Sequence, residues 1–398
     1  MKVVLLTPFY RPDNYGGAVK VYESLCREQE FETHVICPSS IKNHDDNKYF
    51  NDTKIKIHRC SEVQFSYSSR SVIQRIKEFL NYKTRIRSEI RSILDEIKPD
   101  LIINGGVRWF SWMTSDFMKI SPVINYIHGE ELSIKPIGLF GSWLFKTQNS
   151  SFSKVNLNLC VSSYTSCKVK EISLNARTSV LTNFVDIDAY YPSSNKEILK
   201  EKLSLQNKLS LVCVCRLIER KGVDDLLRAL DRLKLMGSDN IILNICGSGP
   251  ELNALRSLAE ELSLSECVMF HGFTEEHIML ELLQASDIFV MPNKTINGDL
   301  EGFGLVFLEA NACGLPVIGG RSGGVVDAIE DGVSGFLVEP GSIQGIVDKI
   351  NYFIENRNKI AEIGRNGLER AEREFGLNKK REEFISVLEI VKTENEIE

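Results

Sequence analysis

Short, continuous runs of valine, isoleucine and leucine alternate with helical stretches along this chain, and the alternation starts over once. A strand that is apolar at every position needs cover on both faces, which a parallel sheet flanked by helices provides. In the first half such runs are Val3–Leu6, Thr33–Cys37, Ile55–Arg59, Leu101–Asn104, Val123–Ile127, Leu157–Val161 and Ser179–Leu181. The segment Asp186–Asn195, with Tyr190, Tyr191, Pro192, Ser193 and Ser194, reads as a linker. New runs follow at Leu209–Cys215, Ile241–Cys246, Val268–Phe270, Ile288–Met291, Pro316–Ile318 and Gly335–Val338, each leading into a helix or a glycine turn. The pattern predicts an α/β chain of two Rossmann-like, doubly wound domains facing across a cleft, residues 1–185 and 186–375. A charged helical tail, 376–398, is expected to pack back toward the N-terminal domain. With 398 residues, 43% of them hydrophobic, the chain can fill more than one core.

No apolar run approaches the roughly 20 residues that span a bilayer. The opening Met-Lys-Val-Val-Leu-Leu-Thr-Pro is too short for a secretory apolar region, so a cytoplasmic location is expected. The ten cysteines form no C-x-x-C pair and lie mostly in apolar runs, the pattern of buried free thiols. His34-x-x-Cys37 has no second pair and sits in a strand, which argues against zinc. Residues 1–185 carry 25 basic and 18 acidic residues, the remainder 23 and 36. A basic half and an acidic half suggest different partners for each, but the excess is too diffuse to point to nucleic acid.

Ligands of open α/β sheets bind at the carboxyl ends of the strands, and the glycine-rich and charged loops fall there. The strongest runs from Gly298 to Ala310, after the strand Ile288–Met291. Glu301 is expected in the loop and Glu309, eight positions on, on a helix opening near Gly304. The N–H groups around Phe303, Gly304 and Leu305 then form a helix N-terminus, which favours phosphate. Each glutamate can accept hydrogen bonds from neighbouring sugar hydroxyls. A plain capped helix with a solvated Glu301 is the alternative, although two glycines would weaken such a cap.

Arg216-Leu217-Ile218-Glu219-Arg220-Lys221-Gly222 follows the strand Leu209–Cys215. Arg216 and Lys221 bracket a turn and suit a diphosphate leaving group, or an ordinary solvated turn. His128 stands at the end of a first-half strand before Gly129, where it is either a cleft residue or a packed core histidine. Gly16-Gly17 after the first strand would let a ligand approach backbone amides. Gly247-Ser248-Gly249-Pro250 lacks the third glycine of a dinucleotide fingerprint and reads as a strand-to-helix turn beside the cleft. Asp186-Ile187-Asp188 matches the D-x-D of metal-dependent sugar transferases but lies in the linker.

Together these motifs resemble the retaining GT-B glycosyltransferases of family GT4, the glycosyl transferases group 1. The resemblance rests on Gly16-Gly17, His128, Arg216 with Lys221, Gly247–Pro250, the E-x7-E box of Glu301 and Glu309, and Gly323-Gly324 before Val325. Ala285–Pro292 and Asp331–Val338 are also similar to family text. The likeness covers nearly the whole chain, strongest from Asn183 to Gly341 and looser between about residues 40 and 120. The cysteine-rich strand Val212–Cys215 departs from the glycine the family often has before the arginine.

The resemblance implies a hexosyltransferase that moves a hexose or N-acetylhexosamine from a nucleotide-diphospho-sugar to a saccharide or lipid-linked acceptor. It implies retention of configuration, no metal cofactor, and a place in cell-surface polysaccharide or glycolipid biosynthesis. Carried over, His128, Arg216, Lys221 and Glu301 are the catalytic residues. The donor would be bound by Gly17, Arg216, Lys221, Gly249, Gly272, Phe273, Glu301, Phe303, Gly304, Leu305 and Glu309. Gly17 would lie near the diphosphate, Glu309 at the ribose, and the Gly272–Phe273 backbone at the base. The competing classes are a non-catalytic nucleotide-sugar-binding protein and another GT-B enzyme such as an epimerase; acceptor-free turnover would mark the latter.

Between Arg70 and Arg91 basic residues outnumber acidic ones, and Ile73, Ile76, Phe79, Leu80, Ile86, Ile90, Ile93, Leu94 and Ile97 recur at helical spacing. This is an amphipathic helix, or a pair of them, whose basic face is either solvated or docked peripherally on anionic lipid at the inner face of the membrane.

Overall fold

The computed structural model describes residues 1–8, 10, 17–27, 31–39, 55–61, 72–133 and 138–397. Gly16, Arg70 and the side chains of Ile73, Ile76, Phe79 and Leu80, all singled out above, lie outside the described residues.

The first sheet contains β1 (Lys2–Leu6), β2 (Glu32–Ser39), β3 (Ile55–Ser61), β4 (Leu101–Asn104), β5 (Val123–Ile127), β6 (Leu157–Cys160) and β7 (Thr178–Val180). Their order is β3-β2-β1-β4-β5-β6-β7, with every pair parallel. The second sheet contains β8 (Leu209–Val214), β9 (Ile241–Cys246), β10 (Val268–Gly272), β11 (Ile288–Met291), β12 (Val317–Gly320) and β13 (Gly335–Val338). Its order is β10-β9-β8-β11-β12-β13, again all parallel. Each predicted run is a strand, with ends shifted by a residue or two. The physical reason is burial on both sides: β4, β5, β6, β9 and β11 are buried at every position. The strand order reverses between β1 and β4 and between β8 and β11, so each sheet opens a crevice at that switch point.

The amphipathic stretch forms one helix, Val72–Ile97. Its Ile86, Ile90, Leu94 and Ile97 are buried against Val4, Leu6, Ile36 and Ile102 of the first sheet. Among the described residues no helix is long and apolar enough to cross a membrane. Eight cysteines are buried; Cys167 is exposed and Cys267 half-buried, so the thiol expectation fails for Cys167.

The chain passes between the sheets twice, and the two passages lie side by side. Val185 N–H donates to Phe375 O (2.9 Å) and Leu377 N–H donates to Val185 O (3.1 Å). The last helix, Leu377–Ile397, then runs along the first sheet's domain. Arg381 Nε donates to Ser24 O (2.8 Å), Arg177 to Glu394 (2.9 Å), and Lys392 lies 3.4 Å from Asp100.

Candidate active site

The helices Gly17–Cys26, after β1, and Leu305–Ala312, after β11, begin at the two switch points. Their first turns meet: a β-carbon built on Gly17 would lie 3.4 Å from Leu305 Cδ1. Gly304 enters the second helix in the left-handed region (φ 91°), and a β-carbon there would sit 2.7 Å from the Phe307 ring. Phe303 turns its side chain into the core against Phe375, so only its backbone is left for a ligand.

Glu301 lies in the loop and Glu309 on the helix, as the spacing predicts. Glu301 is held by two cations from the turn after β8. Arg220 donates to its Oε2 at 2.8 Å, and Lys221 makes a second, shorter contact to the same oxygen. Burial opposes ionisation of Glu301, but Lys221 and Arg220 outweigh it and hold the carboxyl below its usual range. Gly222, at φ 69°, closes that turn so tightly that a β-carbon would lie 2.2 Å from Pro292 O at the end of β11. Arg216 behaves differently from Lys221: it is exposed, and its guanidinium has no partner among the described residues.

Glu309 is buried and meets a cation from the other domain. Lys20 Nζ donates to Glu309 Oε1 (2.9 Å), to Tyr190 Oη (3.0 Å) and to Glu276 Oε1 (3.2 Å). Burial opposes the ammonium charge, yet Glu309 and Tyr190 outweigh it and raise its pKa well above the ordinary lysine value. Among the described residues Glu309 Oε2 has no hydrogen-bond partner and can accept from a further donor.

His128 follows β5, its ring edge-on to Tyr22 (5.0 Å between centroids) and beside Tyr126 (4.7 Å). Burial lowers its pKa to about 3, so the imidazole is neutral, and Nε2 is buried without a hydrogen-bond partner. Glu131 braces the turn from below, accepting from His128 N–H (3.2 Å) and Gly129 N–H (3.0 Å). Burial, only partly offset by those N–H groups, pushes the Glu131 carboxyl up to about 7. The turn abuts the Glu301 loop: a β-carbon on Gly302 would lie 1.9 Å from His128 O. Nearby, Asp327 accepts from Ser163 N–H and Oγ, both at 2.6 Å, another link across the cleft.

Gly249 and Gly272 close the carboxyl ends of β9 and β10. A β-carbon on Gly249 would meet Leu217 O at 2.2 Å, and Gly247 N–H donates to Gly272 O (2.7 Å). Phe273 stands 82% exposed beyond them. A cavity of about 420 Å³ lies alongside, lined by Ala189, Tyr190, Glu275, Glu276, His277 and Leu280. Asp186 and Asp188 close a local turn, Asp188 N–H donating to Asp186 Oδ1 (3.1 Å). Among the described residues no group of three His, Cys, Asp or Glu side chains is placed to hold a metal ion.

The structure thus gathers Gly17, His128, Lys221, Glu301, Gly304, Leu305 and Glu309 at one cleft, with Arg216 exposed. Sequence reasoning missed Lys20, Arg220, Glu131, Tyr190, Glu276 and Asp327. Arg220 carried a signal, a third cation inside the Arg216–Gly222 turn. Lys20 carried none, because its partner Glu309 is 289 positions away.

Residues 194–370 match the family model described as glycosyl transferases group 1. A GDP-mannose-dependent alpha-(1-6)-phosphatidylinositol monomannoside mannosyltransferase of Mycolicibacterium smegmatis is 35% identical over 184 residues, 45% of this chain and 48% of that protein. An N-acetyl-alpha-D-glucosaminyl L-malate synthase of Bacillus anthracis is 29% identical over 54% of each chain. The chain spans about half the length of these curated relatives. Among solved structures, Anabaena HepE in complex with UDP and glucose superposes with a TM-score of 0.77 at 20% identity, over 98% of this chain and 99% of that one. Sucrose-phosphate synthase from Thermosynechococcus elongatus gives 0.78 at 16%, over 98% of each. The two-sheet architecture is the GT-B fold of these glycosyltransferases.

Proposed function

We propose, from the match of residues 194–370 to the glycosyl transferases group 1 model, that this protein is a metal-independent, retaining glycosyltransferase. It moves a hexose or N-acetylhexosamine from a nucleotide-diphospho-sugar to a saccharide or lipid-linked acceptor in polysaccharide or glycolipid assembly. The observation that carries this reading is the meeting, at one cleft, of two helix N-termini with Lys221 and Arg220 around Glu301. Amide dipoles and fixed cations supply the positive potential that a departing diphosphate needs.

The domain 186–375 binds the donor and 1–185 the acceptor. The diphosphate lies at the N-terminus of the helix Leu305–Ala312, between Arg216 and Lys221 and near Gly17. The open Oε2 of Glu309 accepts from the ribose hydroxyls, and the base rests on the Gly272–Phe273 backbone near Gly249, beside the acidic cavity. Glu301 and the Phe303–Gly304 backbone contact the transferred sugar. His128, neutral through burial, offers its unpartnered Nε2 to a sugar hydroxyl without adding charge. The bond from the anomeric carbon to the diphosphate breaks as the acceptor oxygen attacks from the same face, and the acceptor proton passes to the departing phosphate.

The protein works in the cytoplasm, and the basic helix Val72–Ile97 touches anionic membrane peripherally. Of its described basic side chains, Arg87 pairs with Asp116, whereas Arg85 and Arg91 reach Glu89 and Asp95 only at 4.0 Å and remain exposed. Failure to pellet with anionic vesicles at low salt would remove this part alone.

Calorimetry against UDP-, GDP- and ADP-sugars tests the donor. Binding of one class and transfer from it, with the product's anomeric proton unchanged in configuration by NMR and EDTA without effect, is the expected result. Absence of heat with every such compound would overturn the reading.

A further inference from the structure

A second cavity, of about 320 Å³, lies in the helical layer of the first domain. It is lined by the segment 111–115, which leads back from β4 to the start of β5, and by residues 143–154, which lead back to the start of β6. Both segments descend from the carboxyl ends of the strands, and none of the lining residues takes part in the cleft described above. Its volume falls within the roughly 300–1,000 Å³ of ligand sites.

The chemistry of the lining is one-sided. Among the described residues it contains Trp112, Trp143, Lys146 and Lys154, with serine and threonine hydroxyls and no carboxylate. The side chains of Lys146, Lys154, Ser115 and Ser150 have no partner among the described residues. Three other hydroxyls give their hydrogens to backbone carbonyls: Thr114 to Ser111 O (2.8 Å), Thr147 to Leu144 O (2.9 Å) and Ser151 to Gln148 O (2.7 Å). Toward a ligand these can only accept. The indoles lie 6.3 Å apart, and Lys83 places its ammonium over both, at 5.2 and 4.7 Å, adding a third positive charge. Asp116, which follows the first segment, is already paired with Arg87 at 2.5 Å.

We propose that this cavity is an accessory site for an acidic saccharide, one whose rings carry carboxylate, phosphate or sulfate groups. The two lysines meet the anion, the indoles meet the apolar face of a sugar ring, and the hydroxyls exchange hydrogen bonds with its own. A lipid surface fits less well. Between residues 107 and 133 and between 141 and 154, Met118 is the only large apolar side chain that stands exposed, and the indoles line a hollow instead of projecting from the surface.

All three tryptophans of the chain lie here, Trp109 accepting a hydrogen bond from Trp112 Nε1 at 2.8 Å. Tryptophan fluorescence of the full chain therefore reports on this region, with Trp112 and Trp143 in the cavity wall. Titration with oligogalacturonate, without any nucleotide-sugar, should give a saturable change that salt weakens. A neutral dextran oligosaccharide of equal length should give little. The exposed double variant K146E/K154E should weaken oligogalacturonate binding by about tenfold or more while keeping the wild-type circular dichroism and melting temperature. Three outcomes would overturn the proposal: no response to oligogalacturonate, an equal response to dextran, or a response that survives K146E/K154E. A response to phosphatidylglycerol vesicles alone would assign the cavity to lipid and overturn it as well. Because no donor is present, the outcome is independent of the glycosyltransferase reading.

Discussion

At the carboxyl ends of the second sheet's strands, a β-carbon on Gly247, Gly249 or Gly320 would lie 1.8, 2.2 and 1.7 Å from the carbonyl oxygens of Cys215, Leu217 and Asn293. At the corresponding end of the first sheet, one on Gly105 or Gly106 would instead meet the Tyr22 hydroxyl or Pro8 Cδ, each at 2.5 Å. At these three positions of the second sheet backbone stacks on backbone and cannot yield, whereas Gly304 and Gly319 meet the side chains of Phe307 and Ile329. In the first, side chains do the packing, and a side-chain end can move or be exchanged for another. The turns at Gly247, Gly249 and Gly320 are therefore set by the main chain, while those at Gly105 and Gly106 can be retailored by changing side chains. The family model follows the same division, matching 194–370.

The sharpest way to break this comparison is a matched pair of substitutions. Gly247→Ala should destabilise the protein by about 3 kcal/mol or more, since both the left-handed backbone (φ 142°) and the Cys215 carbonyl oppose it. Gly105→Ala should cost about 1–2 kcal/mol as the Tyr22 ring shifts. Equal losses in urea denaturation would end the distinction. Arg216→Ala should depress turnover on the order of 10²-fold with the fold intact, as when a preorganised electrostatic donor is lost. Wild-type turnover would remove Arg216 from the site. Glu309→Ala should weaken donor binding by about 1.5–3 kcal/mol, the range for hydrogen bonds to a charged group. Calorimetry reads this directly, and an unchanged affinity would place the ribose elsewhere.

A further test concerns pH. Glu131 keeps its proton up to about 7 in the folded protein, whereas its unperturbed value is 4.5. The folded state thus binds more protons between these values, and stability from this group is lost as pH rises through that window. His128 has the opposite sense: its pKa falls from 6.5 to about 3, so stability is lost as pH drops below about 6.5. The two slopes oppose each other where the windows overlap. Glu131→Gln removes only the first, so the stability difference between variant and wild type should grow in the variant's favour from pH 4.5 to 7, by up to about 1.4 kcal/mol per unit. A difference independent of pH would mean that Glu131 is ionised throughout.

The strands and their parallel arrangement were written in the sequence because two-sided burial forces continuous apolar runs, and a run such as Ile288–Met291 needs no distant partner to be recognised. The positions of Glu301 in a loop and Glu309 on a helix were equally local, fixed by Gly302 and Gly304. Tertiary structure alone decided that Lys221 turns inward to Glu301 while Arg216 faces solvent, that Lys20 reaches across the cleft to Glu309, and that Trp112 and Trp143 meet over Lys83. Local sequence governs backbone conformation through sterics and burial within a few residues. Charge pairing and cavity walls depend on which surfaces the packed sheets bring together, and that choice is made only when the whole chain has folded.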